Sequence, residues 1–343
     1  MRKVLLGLTA LLLVAAAGTA IYWRHIDAAM RLAGPNAGPV QLQVKPGATV
    51  RGVLAELDRL GALADRRSVE MRLRVRGSWP QIKVGRYEIP AQATPEQILA
   101  QLEAGRVVLE TLTVIEGWTF ADLRRAMEQH PHIKLTLRGK PVADLMTSIG
   151  HAGEHPEGRF FPDTYRFAAG TTDRDLYSLA YRKLAERLDA AWQSRVAGLP
   201  LANAYEALTL ASIVEKETGL PSERARIAGV FVTRLRRNMR LQTDPTVIYG
   251  LGASYDGNIR ERDLRTDTPY NTYTRAGLPP TPIALPSREA IEAATKPQET
   301  GDIFFVATGI GDGSHVFSAT LEAHNAAVQR YLARLRGNRR PNP

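Results

Sequence analysis

The segment LTLASIVEKETG, Leu208 to Gly219, is an apolar run that closes on two glutamates. At about 100° per residue, Ala207, Leu210, Ala211 and Val214 fall on one helical stripe roughly 100° wide. Glu217 follows Val214 by three residues and continues that stripe at the end of the helix. Glu215 lies about 160° away around the same helix, with Lys216 further outward. One regular helix therefore offers the two glutamates to different surroundings. A carboxyl group on an apolar stripe loses hydration when it ionises, so its pKa rises. The negative end of the helix dipole pushes it the same way. A glutamic acid still protonated near neutral pH can hand its proton to a leaving oxygen, as a general acid does in glycosidic cleavage. A solvent-facing glutamate, or one paired with an arginine of the next helix, fits the same pattern without any chemistry.

Around this helix the chain alternates short strands and helices, an α+β pattern. Upstream, VQLQV from Val40 alternates as a half-buried strand does. Thr49 caps a helix carrying Val53, Leu54, Leu57 and Leu60 on one face, and Gly61 ends it. A helix over 66–76, a strand over 84–89 and a helix opened by Thr94-Pro95-Glu96 complete a unit spanning 40–106. A strand over 107–114 leads into helix 119–129, and a long amphipathic helix fits 172–196. Downstream come a basic helix over 222–237 and a loop-rich stretch to Pro286. IFFVAT (303–308) and HVFSAT (315–320), separated by three glycines, read as a hairpin before a terminal helix over 321–336 and a frayed tail, 337–343.

At the N-terminus Arg2 and Lys3 precede an uncharged run from Val4 to Trp23, long enough to cross roughly 30 Å of hydrocarbon. Tyr22 and Trp23 stand where interfacial aromatics belong, and the flanking positive charge keeps the N-terminus in the cytoplasm. Residues 1–25 thus read as a cytoplasmic tip and single-pass anchor, and 26–39, with Gly34, Pro35, Gly38 and Pro39, as a linker. The rival is a cleavable signal peptide, for which the small residues Ala15 to Ala20 offer a cleavage site. Both readings put the remaining chain outside the cytoplasm.

The formal net charge of +10 suits acidic surroundings, but no recognition helix or zinc-finger spacing supports nucleic acid as the partner. There is no cysteine, which excludes disulfides, thiolate metal sites and thiol nucleophiles. The close histidine pairs, His130/His132 and His151/His155, sit among prolines and glycines with no helix to align them as ligands, so no metal site is expected.

Longer motifs sharpen the reading. ASIVEKETG, VFVTRLRRNMRLQTDPTVIYGLG and YNTYTRAGLPPTPIALPS, with EGWTF (116–120), EGRFFPDTY (157–165) and HVFSATLEAHN (315–325), resemble the YceG-like endolytic murein transglycosylases. The 40–106 unit resembles the LysM-like module of glycan-binding cell-wall proteins, and 107–336 then corresponds to the family's catalytic domain. The resemblance implies a catalytic glutamate in the EKET segment. Glu217 is the choice, because Glu217-Thr218 looks like the Glu-Ser pair that ends the catalytic helix of lysozyme-like transglycosylases; Glu215 is the fallback. It further implies a cleft lined by Gln242, Thr243, Asp244, Asn271 and Tyr273, glycan strands of peptidoglycan as substrate, a peptidoglycan synthase complex as partner, residence in the cytoplasmic (inner) membrane with the catalytic domain outside, and no cofactor.

A lytic transglycosylase needs one carboxylate, because the nucleophile is the C6 hydroxyl of the substrate's own N-acetylmuramic acid, whereas hydrolases usually need two. Asp244 is the candidate second carboxylate for a muramidase. A wall-binding scaffold without activity is the alternative from another class. A pyridoxal-phosphate lyase finds no lysine in a recognisable cofactor context.

Overall fold

The computed structural model describes the backbone of residues 2–77 and 79–338, and side chains from 6 to 336 apart from Ser78. In chain order the elements are α1 (Arg2–Ala29), β1 (Val40–Val44), α2 (Val50–Arg59), α3 (Arg66–Arg76), β2 (Gly85–Ile89), α4 (Pro95–Ala104), β3 (Leu109–Thr113), α5 (Phe120–Gln129), α6 (Val142–Ser148), β4 (Thr164–Ala168), α7 (Asp173–Gln193), α8 (Ala204–Glu217), α9 (Arg224–Arg236), α10 (Asp244–Leu251), α11 (Glu261–Arg265), α12 (Arg288–Thr295), β5 (Phe304–Ala307), β6 (His315–Ser318) and α13 (Leu321–Asn338). The fold is mixed α+β. Its strands pair two by two, β1 with β2, β3 with β4 and β5 with β6. Of the tail expected over 337–343, residues 337 and 338 continue α13, and 339–343 lie outside the described residues.

The chain divides into two compact units, Met1–Glu110 with Arg166–Thr171, and Thr111–Tyr165 with Thr172–Pro343. In the first, β1 and β2 pair antiparallel from Val40 opposite Ile89 to Val44 opposite Gly85. Leu42, Val44, Tyr87 and Ile89 turn inward onto Leu54 and Leu57 of α2 and Ile98 and Leu102 of α4. The alternation of VQLQV dictates this, since period two sends every second side chain to one face. Thr49 accepts from the Gly52 amide, and Thr94 forms a reciprocal capping box with Gln97, so both helix starts are fixed by local hydrogen bonds.

The segment 26–39 differs from the linker expectation. Helix α1 runs on to Ala29, Ile26 and Ala29 are buried, and Asn36 donates to the carbonyls of Gly38 (2.9 Å) and Pro90 (3.0 Å). The Gly34 amide donates to Ala93 at 3.1 Å. Ile26 and Ala29, three residues apart, give the helix an apolar edge that outweighs the glycines and prolines beyond it.

The second unit is built around α8, which packs against α7, α9, α10 and α12. Every residue from Ala207 to Val214 is buried, including Thr209 and Ser212. The expected stripe of about 100° is therefore too narrow: α8 is covered on all sides. Ser212 is tolerated there because its hydroxyl donates to the Thr209 carbonyl (2.7 Å) and accepts from the Ile283 amide (3.0 Å). The stretch of α9 from Ile227 to Arg234 is likewise buried, so apart from Arg234 the basic residues of that helix lie at its two ends. At Gly229 a Cβ would lie 2.0 Å from the Gln298 carbonyl oxygen, a close backbone approach that only glycine allows. The stretch expected to be loop-rich contains α10 and α11, and β4 emerges from the glycine- and proline-bearing segment around 157–167.

Candidate active site

Glu217 is the last residue of α8. Capping by Thr218, whose amide closes the helix onto the Val214 carbonyl, turns the chain away at that point. The Glu217 carboxylate accepts a hydrogen bond from the Thr243 hydroxyl. Burial pushes its pKa up to about 7, and neighbouring Asp244 pushes the same way. The Thr243 hydrogen bond and the charge of Arg234 pull it back. The result is a carboxyl group that exchanges its proton near neutrality.

Thr243 is itself buried and locked. Its amide donates to the Thr272 hydroxyl at 3.1 Å, the Gln242 amide donates to the Thr272 carbonyl at 3.2 Å, and the Thr246 and Thr272 hydroxyls lie 2.9 Å apart. The LQTDPT and YNTY segments are thus laced together by threonines. Gln242 has φ of +49°, left-handed backbone unusual for a residue with a side chain. Its position is over-determined from both sides. The backbone is held by Thr272, and the side-chain oxygen lies 3.5 Å from the Arg234 guanidinium, which also donates to the Leu241 carbonyl at 2.8 Å.

A groove of about 460 Å³ opens on Glu217. Gln242, Asp244 and Tyr273 line it, as the sequence suggests, and the Tyr273 hydroxyl donates to Asp244 at 2.6 Å. Thr243 touches the acid directly. Asn271 is placed differently: it is fully buried, and its amide donates to the carbonyls of Asp263, Leu264 and Thr266 while its oxygen accepts from the Tyr273 amide. It shapes the Tyr273 loop and does not line the groove. Glu215 faces elsewhere. Its carboxylate accepts from the amide (2.9 Å) and hydroxyl of Ser287 and lies 3.8 Å from Arg224.

The remaining lining was not identified from the sequence. Arg234 of α9, Phe304 and Phe305 of β5, and Leu321, His324 and Asn325 of α13 also line the groove. The His324 ring stacks on Phe304 with centroids 4.8 Å apart, and its Nδ1 is buried with no hydrogen-bond partner among the described residues. Burial and the nearby Arg234 hold this imidazole below its ordinary pKa, hence neutral. Arg234 and His324 do occur in the motifs VFVTRLRR and HVFSATLEAHN, but nothing in spacing brings positions 217, 234 and 324 together.

The model of the YceG-like family matches residues 42–330 of this chain. The chain belongs to the YceG-like family. This YceG-like chain is 37% identical over 181 residues to an endolytic murein transglycosylase of Bacillus subtilis, covering 52% of the chain and 49% of that relative. It is 26% identical over 354 aligned positions to an endolytic murein transglycosylase of Streptococcus pneumoniae, covering 94% of the chain and 64% of that relative. It therefore spans about half to two thirds of the length of these relatives. The crystal structure of a yceG-like protein from Listeria monocytogenes superposes with a TM-score of 0.54 at 26% identity, covering 84% of this chain and 98% of that one.

Proposed function

We propose that this chain is an endolytic lytic transglycosylase that cuts peptidoglycan glycan strands, with Glu217 as its single acid and base. The observation that carries this reading is the Glu217 carboxyl group lining an open, polar groove, where burial raises its pKa to about 7. Protonated Glu217 donates to the oxygen joining N-acetylmuramic acid to N-acetylglucosamine, and the bond from C1 to that oxygen breaks. The muramic acid's C6 hydroxyl then attacks C1, its proton returns to the Glu217 carboxylate, and a 1,6-anhydro ring closes. Proton count balances and no water is consumed. The Thr243 hydroxyl holds one carboxylate oxygen in place, and Arg234 stabilises the anion that exists between the two transfers.

The Asp244 carboxylate is engaged by Tyr273, which favours a positioning role over activation of water. The β1–α2–α3–β2 arrangement supports a LysM-like module over 40–106, 107–336 serves as the catalytic domain, and α8 plays the part of a lysozyme-like catalytic helix. Within α1, the stretch from Leu6 onward is long and apolar enough to cross a membrane. With Arg2 and Lys3 before it, we place the anchor in the cytoplasmic membrane with both units outside, where nascent strands leave a peptidoglycan synthase and would be terminated by the cut.

The test is digestion of glycan strands by the wild type and by Glu217→Gln, with mass spectrometry of the ends. Anhydro ends, about 18 Da lighter than reducing ends (one water), support the transglycosylase. Reducing ends identify a muramidase. Wild-type rates of release from Glu217→Gln remove Glu217 from the mechanism, and absence of release from both proteins identifies a binding scaffold.

A further inference from the structure

A second groove, of about 390 Å³, lies wholly in the first unit. The end of α1, the turn after it and the C-terminal half of α3 contribute Arg31, Arg72 and Arg76, with Trp79 beyond. Helix α4 contributes Glu96 and Glu103, and the Glu96 amide donates to the Met30 carbonyl at 3.1 Å. Arg72 is occupied by an ion pair with Asp27. Arg31, Arg76, Glu96 and Glu103 have no ion-pair partner among the described residues, and all four are exposed. The groove therefore carries both signs of charge, two guanidinium groups and two carboxylates without ion-pair partners among the described residues.

Its height above the apolar stretch is fixed by α1, which continues without a break from that stretch into the groove. Side chains from Leu6 to Trp23 are exposed along the helix, whereas Ile26 and Ala29 are buried. Asp27 follows Trp23 by four residues within the helix, so it stands roughly 6 Å beyond it at 1.5 Å per residue, and Arg31 lies in the turn just after the helix end. Interfacial tryptophan sits at headgroup level, and a headgroup layer is about 5 to 8 Å deep. His25 lies 3.5 Å from Asp65 at the start of α3, and Asp27 holds Arg72, so α3 is fastened to this same turn of α1.

We propose that this groove binds a phospholipid headgroup of the leaflet that α1 enters, of the phosphoethanolamine type, with phosphate on Arg31 and Arg76 and ammonium on Glu96 and Glu103. This rests on the membrane-anchor reading above. Guanidinium groups suit phosphate oxygens, and the carboxylates suit an ammonium that can donate hydrogen bonds. A purely anionic headgroup would meet Glu96 and Glu103 with like charge. A quaternary choline cannot donate to them and prefers an aromatic cage, of which Trp79 supplies only one side.

The experiment uses the full chain in detergent, with native mass spectrometry of bound phosphatidylethanolamine, phosphatidylglycerol and phosphatidylcholine. Wild type retains phosphatidylethanolamine roughly fivefold more than either competitor, the equivalent of about one exposed ion pair. Glu96→Gln with Glu103→Gln moves the preference to phosphatidylglycerol, and Arg31→Gln with Arg76→Gln abolishes the preference. Equal retention of the three lipids by the wild type, a wild-type preference for phosphatidylglycerol, or variants that leave the order unchanged would each overturn the proposal. Co-flotation with vesicles separates the two readings. A chain that floats without lipid preference loses only the groove, whereas one that does not float loses the anchor and the groove together.

Discussion

Glu215 and Glu217 stand two residues apart on α8, yet their carboxylates reach different elements: Glu215 accepts from Ser287 at the start of α12, Glu217 from Thr243 before α10. The Ser287 hydroxyl also accepts from the Ala290 amide at 3.2 Å, so Glu215 supports the cap of α12. Arg224, almost fully buried, has Glu215 as its ion-pair partner. Glu215→Ala leaves that charge uncompensated and is expected to cost about 3 kcal/mol of stability. Thermal melting reads the loss, and the folded fraction should retain strand cleavage. Loss of cleavage from fully folded protein would place Glu215 in the chemistry.

The groups touching Glu217 predict opposite pH shifts. A general acid works only while protonated, so activity falls as pH rises through its pKa. Thr243→Val removes a hydrogen bond that lowers this pKa and moves the alkaline limb upward. Asp244→Asn removes a charge that raises it and moves the limb downward. Rate profiles of the two variants displaced in the same direction would contradict the assignment.

Glu157 carries a stability signature. It is buried, accepts from the Phe120 amide at 2.9 Å and the Tyr249 hydroxyl at 3.0 Å, and burial raises its pKa to about 7. Because the folded value lies above the unfolded one, the native state keeps a proton that the unfolded chain has released. Stability therefore falls as pH rises from about 4.5 to about 7, by about 3 kcal/mol from this group. Glu217 adds a contribution of the same sign. Glu157→Gln should flatten part of the slope, read by denaturant unfolding at pH 5 and pH 8; an unchanged slope would show Glu157 to be hydrated.

Gly229→Ala sets two effects against each other. Alanine is favoured over glycine in a helix by about 1 kcal/mol, but the added methyl group would meet the Gln298 carbonyl at 2.0 Å. The clash wins, and a lowered melting temperature is expected. A raised one would mean that the 298 segment yields freely.

Local signals were the legible part. VQLQV, the Thr49 and Thr94 helix starts and the glycine-separated hairpin depend on neighbours a few residues away, and each is present in the fold. Helices α10 and α12 were missed because each is only eight residues long, and Pro245 in the first turn of α10 reads equally well as a turn. The full burial of α8 was missed because Thr209 and Ser212 look like a polar face until their hydrogen bonds to Tyr205 and Ile283 are seen. In the groove, Gln242, Asp244 and Tyr273 stand in motifs that the family resemblance singles out, whereas Arg234, Phe304 and His324 arrive through tertiary packing that no spacing encodes.

The unbroken course of α1 has a mechanical meaning. A flexible 14-residue leash would let its cargo wander by about 20 Å. Here the burial of Ile26 and Ala29 welds the shaft to the first unit. If the apolar stretch sits in a bilayer as proposed, any tilt that a thinner or thicker membrane imposes on the shaft turns that unit by the same angle, so bilayer thickness would set the angle at which the unit stands on the surface.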